Sequence, residues 1–190
     1  MELESFKKKM FVIELIILGL LAFHIVFLII ALSSPLNLGG TLMGLIADQT
    51  KTPLIVGVYI LLDTVLVGLM IAAIAFLIRS YLKDEEKRTI LLKPLRVGML
   101  SLLLTFTRIT FIAFAQQVII SLGSQQIALQ SLLYDPTQSS IAGMLFFIIA
   151  MSIASGIIVC LVVMSGISLN ELIEFRKIEE SESSAAKKKK

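Results

Sequence analysis

The sequence predicts an all-α, polytopic membrane protein with four transmembrane helices in a bundle, and three observations predict it. Four apolar stretches, about residues 10–32, 54–78, 95–122 and 140–168, are each long enough to cross a hydrocarbon core of about 30 Å at 1.5 Å per residue. Lys and Arg collect in the segments on one side of these stretches, the arrangement that fixes orientation in a bilayer. The composition is 57% hydrophobic and 16% charged over 190 residues, with a mean hydropathy of +0.94, which leaves no material for a separate soluble domain. Residues 1–178 therefore read as one transmembrane domain and 179–190 as a disordered, Lys-rich cytoplasmic tail.

The first stretch, MFVIELIILGLLAFHIVFLIIAL, follows Lys7, Lys8 and Lys9. Its apolar run exceeds a signal-peptide core and shows no small-x-small cleavage site, so it reads as a retained signal-anchor helix. The N-terminus, the segment from Arg79 to Arg96 and the tail from Arg176 onward hold 15 of the 17 Lys and Arg residues. Lys51 is the only one in the other two loops, and Arg108 lies within the third stretch. Both termini are thus expected in the cytoplasm and the protein in the cell (plasma) membrane. With the net charge of +3 explained by topology and no basic-aromatic pattern present, nucleic acid is not an expected partner; the lipid bilayer is.

The second stretch begins after Pro53 and the third after Pro94, each suited to a first helical turn where the missing N–H is not needed. Between them, Asp84, Glu85 and Glu86 interleave with basic residues, as in a solvated, salt-bridged extension of the second helix. The first outer loop carries a short apolar patch, Leu42 to Ala47, too short to span, which reads as interfacial or partly re-entrant. The second carries Leu129, Leu132, Leu133 and Tyr134, spaced for a small amphipathic turn; either segment is also placed to cap the bundle. After the fourth stretch, Ser168 and Glu171 have capping-box spacing ahead of a short cytoplasmic helix.

Polar residues inside apolar helices are the chemical signal. Asp63 lies 10 residues beyond Pro53, about 15 Å in, and Arg108 lies 13 residues beyond Leu95, about 20 Å in from the opposite side. The two depths agree to within a turn, so an intramembrane ion pair is geometrically allowed and would remove most of the cost of each charge. At 100° per residue, Ser101, Thr105 and Arg108 share one face of the third helix, with Gln116 near its edge. These are candidate path-lining residues. Gly57, Thr64, Gly68 and Ala75 form a small-residue stripe on the second helix, read as a close helix contact. Glu14, one turn inside the first helix, reads as a snorkelling or Lys-paired residue. His24 is the only histidine, so bis-histidine haem ligation within one chain is excluded; it reads as hydrogen-bonded packing first, with a single haem ligand of a redox protein, a proton relay or a pH sensor as the alternatives. Cys160 is the only cysteine and allows no internal disulfide.

The segments LLDTVLVGLMIAAI and LLLTFTRITF resemble the YqhA-like proteins, a family of small prokaryotic and plastid membrane proteins. The matching positions are Leu61, Asp63, Leu66, Val67 and Gly68, with Arg108 in the third helix. The resemblance covers about residues 40–115, and it implies a four-helix membrane fold and points to Asp63 and Arg108 without an established activity.

No nucleotide loop, nucleophile elbow, zinc-protease motif or cofactor motif is present, so no enzyme, cofactor or metal is expected. The leading expectation is an oligomeric channel or carrier for an ion, proton or small solute, formed as a homo-oligomer because a hydrophilic path is easier to build between protomers. The alternative is a non-catalytic accessory or scaffold subunit of a larger membrane complex, in which the pair fixes helix register.

Overall fold

The computed structural model describes residues 3–33, 35, 40–81, 86–122, 124–134 and 141–188. The elements are α1 (Leu3–Ser33), α2 (Leu42–Ala47), α3 (Leu54–Ser80), α4 (Lys87–Gln116), β1 (Ile119–Leu122), β2 (Gln125–Ala128), α5 (Leu129–Tyr134) and α6 (Ile141–Lys188). Four helices, α1, α3, α4 and α6, are long and apolar enough to cross a membrane. Their outer surfaces carry Phe11, Phe23, Leu61, Phe76, Leu103 and Val159 exposed, a hydrocarbon face that suits lipid rather than water.

The four long helices share one core. Ile17 and Leu21 of α1, Met70, Ile74 and Leu77 of α3, Ile90 and Leu91 of α4, and Ile157, Leu161 and Met164 of α6 are all buried in it. α4 and α6 approach closely at Gly98 of α4, where a Cβ would run into Ser165 Oγ and meet Met164 Cε at 3.1 Å. Glycine is what lets α4 and α6 pack there. By contrast, a Cβ at Gly57 or Gly68 meets nothing within 4 Å. The stripe expected to be a close helix contact is therefore unoccupied among the described residues, because α3 turns Asp63 and Met70 inward and this face outward.

Three boundaries differ from the sequence expectation. The third long helix starts at Lys87, and Pro94 lies inside it rather than before it. Pro94 leaves the Ile90 carbonyl without its helical donor, and in the same turn the Ser168 hydroxyl donates to the Leu91 carbonyl. Ser168 thus braces α4, and no capping box starts a new helix there; α6 runs unbroken through Lys188, over most of the tail expected to be disordered. The same helix α4 ends at Gln116 instead of 122, so the chain is not purely helical. Val118, Ile119 and Ile120 are β-branched and enter a hairpin, with Ile119 opposite Ala128 and Leu122 opposite Gln125. Lys83, Asp84 and Glu85 of the expected salt-bridged extension, and Lys189 and Lys190, lie outside the described residues.

The connections at the hairpin end form a cap. Gly40, at φ 78°, takes the left-handed backbone that favours glycine and leads into Thr41, whose Oγ1 accepts from Gly44 N at 3.1 Å to start α2. Leu42 and Leu45 of α2, Val56 of α3, Ile120 of β1 and Leu129 of α5 make a second apolar cluster. Ser121 N donates to the Lys51 carbonyl at 2.8 Å, tying the hairpin to the turn after α2.

Candidate functional site

The residues flagged from the sequence as an ion pair are in contact. Asp63, on the inward face of α3 with Val67 and Met70, is 4% exposed, and Arg108 of α4 is 2% exposed. Arg108 Nε donates to Asp63 Oδ1 at 2.6 Å, and Nη2 reaches Oδ2 at 3.5 Å. The guanidinium thus presents its side edge to the carboxylate, the geometry that lets Arg hold a charge pair where Lys would act only as a point charge.

His24 completes the cluster from α1. It lies on the buried face with Ile17 and Leu21 and is 4% exposed. Its Nε2 stands 2.8 Å from Arg108 Nη2 and 3.3 Å from Asp63 Oδ2. One ring nitrogen serves one of these contacts at a time: unprotonated it accepts from Arg108, protonated it donates to Asp63. Arg108 Nη2 is the nearer of the two partners to this nitrogen.

The triad forms the floor of a cavity of about 110 Å³ whose lining reaches up to the cap. Its walls are apolar, from Leu28 and Ile112 on the long helices to Leu42 of α2 and Leu129 of α5. Among the described residues Gln116 and Tyr59 are the other polar side chains on the lining, and Tyr59 stacks on Phe111 with ring centroids 5.8 Å apart. Of the expected path residues, then, Gln116 lies on the cavity. Ser101 and Thr105 do not. Both are fully buried on the far side of Arg108, where Thr105 Oγ1 donates to the Ser101 carbonyl at 2.8 Å and lies 3.6 Å from Met70 Sδ. The polar stripe on α4 is therefore divided between a cavity wall and the helix core.

A second polar contact lies nearer the termini. Tyr81, just past α3, donates its hydroxyl to Glu14 Oε1 at 2.6 Å, while Glu14 Oε2 is buried without a hydrogen-bond partner. Glu14 thus pairs with a tyrosine across the fold, and not with a nearby lysine through the hydrogen bonds described. Cys160 is half-buried on α6 as a free thiol. Among the described residues no three His, Cys, Asp or Glu side chains are grouped to hold a metal ion. The comparisons with known proteins return no family model, no curated protein and no solved structure that matches this chain.

Proposed function

We propose that this protein is a membrane transport protein, an oligomeric channel or carrier for an ion, proton or small solute, without enzymatic activity. The observation that carries this reading is the charged triad of His24, Asp63 and Arg108 at the floor of an otherwise apolar cavity. Ionisable groups at membrane depth are expensive, and where they border a cavity they mark pathways. In this reading both termini are cytoplasmic, the cap faces outward, and Gln116 and Tyr59 meet an entering solute before the triad does. The likeness to the YqhA-like proteins belongs to the same proposal. The test is flux of protons and small ions in proteoliposomes holding the purified protein, with Asp63→Asn and Arg108→Gln alongside. Loss of flux in both folded variants supports the reading, and unchanged flux ends it.

A second reading, an accessory subunit of a larger membrane complex, draws on one fact: Asp63 and Arg108 pair at 2.6 Å, so their charges are balanced without any solute. It predicts that the charge swap Asp63→Arg with Arg108→Asp restores an assembly lost in each single variant, and that the wild type shows no flux.

A further inference from the structure

We propose that the cavity binds a short-chain monocarboxylate together with one proton, the proton residing on His24. This rests on the transport reading above only for what happens after binding.

Size sets the first limit. A 150 Å³ apolar cavity accommodates benzene, with its six heavy atoms. A volume of about 110 Å³ then takes about four or five, the size of acetate or propionate. The apolar walls suit a short hydrocarbon tail, and the floor suits the head.

Donor accounting at Arg108 sets the second. A guanidinium has five N–H groups. Nε and one N–H of Nη2 face Asp63, and the other N–H of Nη2 faces His24. Nη1 has no hydrogen-bond partner among the described residues, although Arg108 is 2% exposed and lines the cavity. While His24 is neutral, its Nε2 occupies Nη2, and Asp63 cancels the charge of Arg108. The floor is then neutral and offers an anion no net attraction. When Nε2 takes a proton from water, it becomes a donor and moves its bond to Asp63 Oδ2, 3.3 Å away. Nη2 loses its acceptor, and the Nη1 and Nη2 edge is freed as a two-pronged fork of the kind that grips carboxylates. The triad now carries one net positive charge, which the carboxylate neutralises. Proton and anion each favour the binding of the other.

Among the described residues the groups that set this balance are few: around His24, α3 contributes Asp63 and Tyr59 and α4 contributes Arg108 to the cavity, and the described lining residues from α2, α5 and α6 (Leu42, Ile46, Leu129 and Ala154) carry no titratable group.

The experiment uses the full-length protein in lipid nanodiscs, with empty nanodiscs subtracted. Binding of radiolabelled propionate is measured across neutral and mildly alkaline pH, where propionate is almost wholly anionic. Proton uptake on propionate addition is recorded in weak buffer at the same time. Saturable binding that weakens about tenfold per pH unit at the alkaline end, with one proton taken up per carboxylate, is the expected result. Propionamide, the uncharged isostere, should compete at least tenfold less well than acetate. Equal binding of propionamide, binding without proton uptake, or no binding at all overturns the proposal. His24→Gln should abolish the pH slope, and a slope retained in that variant also overturns it. Proton uptake by the wild type decides the matter if that variant does not fold. Carboxylate binding with proton uptake but no flux removes the transport reading and leaves the site standing; ion flux without carboxylate binding does the reverse.

Discussion

Arg108 Nη2 and His24 Nε2 stand 2.8 Å apart, so the only histidine in the chain is held by the same guanidinium that neutralises Asp63. Three helices, α1, α3 and α4, meet through these three side chains. Removing one partner strands a charge in hydrocarbon, whereas removing both strands nothing. Asp63→Asn and Arg108→Met are each expected to destabilise the fold by about 3–5 kcal/mol, and the double variant to recover most of the loss. Thermal unfolding in detergent, followed by a thiol-reactive dye on half-buried Cys160, reads all three. A double variant as unstable as the sum of the singles would show that the pair is not coupled.

Gly57, Thr64, Gly68 and Ala75 present a small-residue face on α3 that no described neighbour in the chain fills at either glycine. Small faces let helices of separate copies approach closely. If the protein self-associates through α3, Gly68→Ile should weaken the oligomer several-fold while leaving the Cys160 unfolding midpoint unchanged. Single-particle mass measurement in nanodiscs across a dilution series checks the first half. An unaltered oligomer would move the search to another face.

The Asp63 and Arg108 contact was legible in the sequence because helix rise turns residue number into depth, and two depths that agree are a contact hypothesis. The same arithmetic places His24, 14 residues beyond Met10, about 21 Å into the first helix, level with Arg108. That signal for the third member was present in the numbering. The cavity was not legible, because it depends on how α2, α5 and the hairpin fold over the helix ends, and Leu42, Ile46 and Leu129 carry no periodicity that reports their partners. Tyr59 was missed for the same reason. Helix ends were misjudged where hydropathy is blind to backbone preference: Val118 to Ile120 are as apolar as a helix yet branched at Cβ, and they leave α4 for a strand. Pro94 suits a first turn by its own chemistry, yet it lies inside α4, in the turn where the Ser168 hydroxyl of α6 donates to the Leu91 carbonyl.

Asp48 organises the turn between α2 and α3. Its Oδ1 accepts from Thr50 Oγ1 at 2.6 Å and Thr50 N at 3.1 Å, and its Oδ2 pairs with Lys51 at 3.0 Å. The Thr50 hydroxyl, and then Lys51, hold the carboxyl below the usual carboxylate range. A lowered folded value means that the contribution is fully present above the ordinary value of 3.8 and fades as pH falls through the lower one. Amide exchange at Thr50, Lys51 and Thr52, corrected for intrinsic rates, should therefore quicken as the pH falls below 3.8. Asp48→Ala should show the faster rate already at neutral pH. Equal rates in that variant and the wild type at neutral pH would mean that the turn is held by its backbone bonds and by the hairpin contact at Lys51.

Glu14 and Tyr81 form a contact away from the cavity and its triad. Glu14 is fully buried with Oε2 unpartnered, a deficit worth about 1–3 kcal/mol. Tyr81→Phe removes the one hydrogen bond described on the other oxygen, and is expected to destabilise by a similar amount. Replacing both partners by apolar groups, Glu14→Leu with Tyr81→Phe, leaves no polar atom of the pair unsatisfied and should unfold at or above the wild-type temperature. Cys160 dye unfolding measures the cycle, and a double variant less stable than Tyr81→Phe alone would show that Glu14 has a partner worth keeping. The cavity, its triad and the cap lie toward the opposite end of the long helices, with Ile17 and Leu21 packed in the core between Glu14 and His24 on α1. Carboxylate binding by the double variant should accordingly match the wild type, which separates a structural polar contact from the polar floor of the cavity.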